Sequence, residues 1–264
     1  MRQLILADYV FPASDQYPEL MEDSGVIVDD SGRIEAVGSA QELRHKSLVE
    51  RRFNGVLMPG LCDVHTHLCL SAGLDPFAQA LREHPARMTL RAVDGLRAHL
   101  DAGVTTIRDV GGLHGIDLQM QHLVDEGQVE GPAVYAAGQL IAMTGGHACM
   151  LGIEADGADA VRAAARKNLK DGARLIKLIA TGGVLTSGVR PGAQQLSEDE
   201  MRAAVEEATK VGKRVAAHAQ GAEGIDAALR AGVHTIEHGF WLSDYALEAL
   251  AQPGRALVPT LAAL

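Results

Sequence analysis

The sequence predicts an α/β fold: a TIM-like (β/α)8 barrel that stops after its seventh strand, behind a small N-terminal β-domain. Three observations carry this. From Val56 onward, short apolar runs alternate with Ala-rich amphipathic stretches, and repeated βα units imply parallel strands joined by right-handed crossovers. Several amphipathic stretches close on glycine just before the next apolar run, as in Asp101-Ala102-Gly103 and Ala231-Gly232, the pattern of a helical C-terminal cap. No G-x-G-x-x-G follows a strand candidate, so the alternative of an open, doubly wound sheet lacks its fingerprint.

The elements follow in order. Gln3 to Leu6, Gly25 to Asp29 and Arg33 to Val37 read as short strands, with Asp29-Asp30-Ser31-Gly32 as a hairpin turn. They define a β-domain over residues 1–54, and the barrel occupies 55–264. Its strand candidates are Val56 to Val64, Thr105 to Asp109, Ala133 to Gly138, Arg174 to Ala180, Arg214 to His218, His234 to His238 and Ala256 to Thr260. Helices are expected at Met88 to Asp101, His114 to Gly127, Gly157 to Asp171, Ser197 to Val211, Ala222 to Ala231 and Ser243 to Ala251. Ser197 and Glu200 have the spacing of a capping box.

Composition excludes several classes of function. With 24 basic and 34 acidic residues the net charge is −10, opposite in sign to a general nucleic-acid binder. Cys62, Cys69 and Cys149 are odd in number and irregular in spacing, so a disulfide framework is not expected. Leu4-Ile5-Leu6-Ala7 is too short for a signal peptide and runs into Asp8. No apolar run approaches the ~18 residues of a membrane span. A cytoplasmic protein without membrane or nucleic-acid partners is expected, acting on a small molecule.

The chemistry lies at the strand ends, where a (β/α)8 barrel carries its active site. Met58-Pro59-Gly60 leads into an apolar run ending in His65-Thr66-His67. On a strand these two histidines share one face and can bind one metal ion. Asp109 ends the second strand, Lys177 lies within the fourth, and His218 and His238 end the fifth and sixth. Each histidine offers a nitrogen at about 2.0–2.1 Å from zinc. Lys177 sits in Leu175-Ile176-Lys177-Leu178-Ile179, where burial favours the neutral amine. Such an amine reacts with carbon dioxide to give a carbamate, an oxygen ligand able to bridge two metals. His45, His84, His99, His114, His122 and His234 lack this placement and read as surface or structural residues.

Taken together, these residues resemble the amidohydrolase superfamily, in its two-metal type with a carboxylated lysine, over Val56 to Thr260. Gly103-Val104-Thr105-Thr106-Ile107-Arg108-Asp109, Thr144-Gly145-Gly146-His147 and Thr235-Ile236-Glu237-His238-Gly239 look like the imidazolonepropionase-related branch, which includes zinc carboxypeptidases and Xaa-Pro dipeptidases. The resemblance implies two divalent cations, with zinc expected. His65 and His67 would hold the first, His218 and His238 the second, and carboxylated Lys177 would bridge them. A bridging hydroxide would then attack the amide carbonyl of a dipeptide or N-acyl amino acid. His147 resembles the family's substrate-contacting, catalytic histidine. Arg190, in the loop from Gly182, would pair with a substrate carboxylate, and Asp109 would orient the first-strand ligands. Relatives often carry an aromatic residue where this chain has Gln195-Leu196.

The family pattern also has an Asp on an eighth strand, for which this sequence offers no equivalent. Two alternatives follow. One is a catalytically incomplete metal-binding fragment; on either reading the small domain is expected as a partial β-sandwich, and the apolar Leu257 to Leu261 end invites homo-oligomers. The other is a one-metal cyclic-amide hydrolase or deaminase, which would not need Lys177.

Overall fold

The computed structural model describes residues 2–44, 49–186 and 188–263, which leaves His45 outside. The chain divides into two compact units, Met1–Leu61 and Cys62–Leu264.

The first unit holds β1 (Gln3–Val10), β2 (Met21–Val28), β3 (Ile34–Ser39), α1 (Ala40–Leu43) and β4 (Val49–Leu57). They make one sheet in the order β3-β2-β1-β4, with β4 parallel to β1. The hairpin turn forms as expected: the Asp29 carboxylate accepts from the Ser31 and Arg33 amides at 2.8 and 2.9 Å. Leu4, Leu6 and Ile27 pack under Ala40 and Leu43 of α1. Of the partial β-sandwich expected here, the described residues give one four-stranded sheet and one helical turn. The sequence reading missed β4 because its first eight residues are all exposed, so no apolar alternation marks it. The expected strand Val56 to Val64 is in fact broken. Pro59 cannot donate to a ladder, and the chain leaves β4 at Leu57 and starts again at Leu61.

The second unit runs β5 (Leu61–Thr66), α2 (Pro76–Arg82), α3 (Pro85–Asp101), β6 (Val104–Asp109), α4 (Ile116–Asp125), β7 (Ala133–Ala136), β8 (Leu140–Ala142) and β9 (Gly152–Glu154). It continues α5 (Ala158–Lys170), β10 (Leu175–Ile179), α6 (Glu198–Lys210), β11 (Arg214–Ala219), α7 (Ala222–Ala231), β12 (Thr235–His238), α8 (Asp244–Leu250) and β13 (Ala256–Val258). The strands lie in two sheets, β5-β6-β7 and β13-β12-β11-β10-β8-β9. The expected third strand is shared between them: β7 pairs in parallel with β6 and β8 with β10. The handover lies between, where the Ala137 amide donates to Asp109 O at 3.0 Å. The seven strand positions thus follow in barrel order, with β9 as an addition beside β8.

Strand alternation then decides what faces the site. Ile176 and Leu178 of β10, Val215 and Ala217 of β11, and Ile236 of β12 pack on one side with Met201, Ala204, Ile225 and Leu229 of the helices. The intervening Lys177, His218, Thr235 and Glu237 face the other way. The Ser197 capping box forms. The three cysteines are free. Among the described residues no helix is long and apolar enough to cross a membrane.

Candidate active site

Four histidines meet at the strand ends. The His65 ring lies 5.4 Å from that of His67 and 5.1 Å from that of His238, centroid to centroid. His218 stands 4.6 Å from His238 and 4.5 Å from His147. Lys177 is 2% exposed beneath them, paired in register with Ala216 while His218 stands opposite Ile179, two residues further along β11. Burial, ahead of its neighbours' charges, brings the Lys177 ammonium from 10.5 down to about 8. Burial likewise lowers His67 and His238 to about 3 and His147 to about 4, aided by His65 for His67 and by Lys177 for the other two. His218 falls well below its ordinary value, by burial and then His147. At neutral pH the rings are therefore uncharged, the form in which imidazole ligates.

Hydrogen bonds fix which nitrogen carries the proton in three rings. His67 Nδ1 lies 2.6 Å from Gly111 O. A carbonyl only accepts, so Nδ1 is the protonated nitrogen and Nε2 keeps its lone pair. Thr260 gives its hydroxyl hydrogen to Pro259 O at 2.8 Å, so His238 Nδ1, 2.7 Å away, donates to Thr260 Oγ1. His65 Nδ1 faces the Glu237 carboxylate at 2.7 Å. An outer donor bond that orients the ring and frees the opposite nitrogen is the usual support of a metal-ligating histidine.

Two charged residues at the cluster were missed by the sequence reading. Glu237 is fully buried. Burial alone would raise its pKa, but the His65 bond and the Lys177 and Arg108 charges outweigh that and hold it at about 2. Arg108 Nη2 donates to its Oε1 at 2.7 Å. The signal was present as charged residues inside apolar strands. It was hidden because Glu237 adjoins His238, and neighbours on a strand face opposite ways. His238 escapes that rule by adopting φ 71°, followed by Gly239 at φ 62°, so both side chains reach the site.

His147 is 6% exposed. Its amide donates to Gln195 Oε1 at 3.0 Å. Its Nδ1 lies 2.8 Å from Thr186 Oγ1, to which the Ala148 amide donates at 3.1 Å. The loop after β10 is thereby latched over His147. Arg190, in that loop, is exposed, and among the described residues no hydrogen bond joins its guanidinium to the cluster. Asp109 is fully buried and accepts from the Leu68 and Gly111 amides at 2.7 and 2.9 Å, bracketing His67 and the carbonyl that holds it. Burial and then Asp117 push Asp109 up to about 8. Away from the site, His84 caps α3 and His99 Nδ1 bonds Gly95 O. His234 Nδ1 accepts from the Val215 amide.

The expected ligand set is brought together with one qualification. Among the described residues, no group of three or more His, Cys, Asp or Glu side chains could hold a metal ion. The donor chemistry nonetheless fits. Two imidazoles sharing one ion at about 2.0–2.1 Å with near-tetrahedral angles have centroids about 5 Å apart, close to the His65–His67, His65–His238 and His218–His238 spacings alike.

Comparison with known proteins agrees with the strand order. Residues 56–263 match the model of the Amidohydrolase family. The ochratoxinase of Aspergillus niger is 29% identical over 274 residues, covering 92% of this chain and 56% of the relative. Its crystal structure superposes with a TM-score of 0.87, covering 98% of this chain and 65% of that one. A prolidase crystallised with N-methylphosphonate-L-proline is 30% identical, with a TM-score of 0.88, over 99% of this chain and 66% of that one. A Xaa-Pro dipeptidase structure with bound methionine is 27% identical, with a TM-score of 0.85, over 100% of this chain and 68% of that one. The chain thus spans little more than half of the ochratoxinase's length.

Proposed function

The chain belongs to the amidohydrolase family, and from that premise we propose that its histidine cluster hydrolyses the amide bond of a dipeptide or N-acyl amino acid with two divalent cations bound. The observation that carries this reading is the run of neighbouring rings His67, His65, His238 and His218, 4.6–5.4 Å apart from one to the next, with Lys177 buried on the same side of the strands. Bound cations would polarise the scissile carbonyl and acidify water; zinc is the expected metal. Lys177 would take up carbon dioxide, its amine nitrogen bonding to the carbon and releasing a proton to solvent, to become an anionic oxygen donor.

The remaining residues have assigned tasks. Neutral His147 would donate one N–H to the substrate carbonyl or carboxylate. Arg190 would approach the substrate carboxylate from the covering loop. Asp109 would fix the backbone around His67. The apolar rim suits a substrate with a large side chain: Phe77 lies 6.4 Å from His147 and Phe240 6.1 Å from His238, in a chain with only 3% aromatic residues. The specificities by which relatives are named, for Xaa-Pro dipeptides in one case, set the first substrates to try. Cytoplasmic residence belongs to this reading, supported by three free cysteines.

The test is metal analysis with a dipeptide and N-acyl amino acid screen. About two zinc ions per chain are expected, with loss of bound metal in His218→Ala. A protein that stays metal-free at saturating zinc sinks the reading. One observation favours a second reading, in which this chain binds metal but needs a further segment for turnover: Glu237 is the carboxylate that meets the cluster, and both its oxygens are engaged. Turnover by the chain alone removes that reading. A one-metal hydrolase or deaminase predicts that Lys177→Ala changes little.

The loop after β10 offers a sharper probe. A Cβ on Gly183 would lie 2.5 Å from His147 Nε2, 2.7 Å from its Cε1 and 2.8 Å from its Cδ2. The ring is pinned by Thr186, so Gly183→Ala must displace it. Turnover should fall by about 10–100-fold, since a displacement of ~1 Å can cost 10²-fold, with little change in Tm. Wild-type turnover in Gly183→Ala would remove His147 from the reaction.

A further inference from the structure

A buried polar group links β5, β6 and β12 beneath the histidines, and its hydrogen bonds have only one consistent direction. Arg108 donates from Nε to Val64 O at 2.6 Å, from Nη1 to Thr235 Oγ1 at 3.1 Å and from Nη2 to Glu237 Oε1 at 2.7 Å. Thr235 accepts from the guanidinium, so its own hydrogen goes to Glu237 Oε1, 2.7 Å away. Oε1 thus receives two donors. Oε2 faces His65 Nδ1 at 2.7 Å, and an acceptor-only carboxylate leaves that nitrogen to donate.

We propose that Glu237 is the positioning residue of this site: it holds His65 as the Nδ1–H tautomer with Nε2 turned to the cluster, while Arg108 and Thr235 hold Glu237. The carboxylate carries this task because its two oxygens face different partners. Buried beside nothing but an imidazole it would be costly. The Arg108 guanidinium, with side-chain exposure of 17% against 0% for Glu237, supplies the opposite charge and two of the three donors that fix the arrangement. The alternative is a plain cross-sheet ion pair, in which Arg108 and Glu237 tie β6 to β12 and the His65 contact is incidental. The two differ in what a neutral, equally sized side chain would do. In Glu237→Gln the amide would offer one oxygen and one NH2. Arg108 and Thr235 both present donors to the Oε1 position, so the amide oxygen must take that side and the NH2 must face His65. Nδ1 would then have to accept, and the tautomer would invert, placing the proton on Nε2.

The experiment is nitrogen-15 NMR of the histidine rings in metal-free protein, followed by zinc titration. Wild type should show His65 protonated on Nδ1, and Glu237→Gln should show it protonated on Nε2. The inference rests on the two-cation reading only for its consequence: Glu237→Gln should bind zinc about 10–100-fold more weakly, the usual range for such outer partners. Wild-type His65 protonated on Nε2 overturns the proposal without need of any variant, which covers the case of a variant that does not fold. An unchanged tautomer in Glu237→Gln also overturns it and leaves the plain ion pair. If wild type binds no zinc, the metal reading fails separately while the tautomer still decides the role of Glu237.

Discussion

With metal and carbon dioxide withheld, so that Lys177 is the free amine, Lys177→Met should be more stable than wild type near neutral pH, and on the proposed reading it should lose amide hydrolysis. Lys177 is among the largest fully buried side chains, at 2% exposure, and burial sets its ammonium at about 8 in place of 10.5. That gap corresponds to roughly 3 kcal/mol of destabilisation while the group is charged in both states. The sign follows from the folded value lying below the unfolded one. The penalty is complete below about pH 8, fades between 8 and 10.5, and is gone above. Methionine fills a similar volume without the charge. Glu237 loses one neighbouring cation but keeps Arg108, so part of the gain is offset. A rise in Tm of about 5 °C at pH 7 is expected from 1–2 kcal/mol in a domain of this size, shrinking as pH passes 9. Thermal melts at pH 7 and pH 10 check this, and a lower Tm at pH 7 would contradict it. On the proposed reading the same variant, supplied with metal, should lose on the order of 10³ in kcat/KM, because it would lack the oxygen donor that Lys177 would offer the cations. A variant that gains stability and loses turnover would mark Lys177 as a functional group rather than a structural one.

What could be read in the sequence divides along a physical line. His65, His67, Lys177, His218 and His238 were legible because each interrupts or ends an apolar run, and strand periodicity then says which face it takes. Asp109 was legible as a strand end, although its bonds to the Leu68 and Gly111 amides could not be. Arg108 and Glu237 stood in plain view within the strand motifs and were passed over. They lie 129 residues apart, and no local pattern encodes that meeting. β4 lacks alternation because both faces are exposed, and its place comes only from the ladder with β1. The break of the third strand into β7 and β8 follows from its hydrogen bonds changing partner from β6 to β10, which again is set by tertiary context.

Substitutions at His238 should separate backbone from side-chain roles more cleanly than at any other ligand candidate. His238 ends β12 with φ 71°, a left-handed conformation that costs a residue with a Cβ roughly 1–2 kcal/mol. Asparagine tolerates it better than most residues, while a β-branched residue is least tolerant. His238→Asn should therefore fold with a Tm within a few degrees of wild type, and His238→Val, the least tolerant of this conformation, should melt lower than His238→Asn. Both remove the imidazole, so both should lose bound zinc and on the order of 10³ in kcat/KM, several kcal/mol of transition-state stabilisation. His218 gives the contrast, since β11 is regular there and His218 pairs in register with Glu237. Valine suits a strand, so His218→Val should lose metal without the extra backbone penalty. Equal stability of His238→Asn and His238→Val would mean that the chain relaxes out of the left-handed conformation once the ring is gone. In that case the ring, held by Thr260 at 2.7 Å, and not the backbone alone, keeps the turn that lets Glu237 and His238 face the same site.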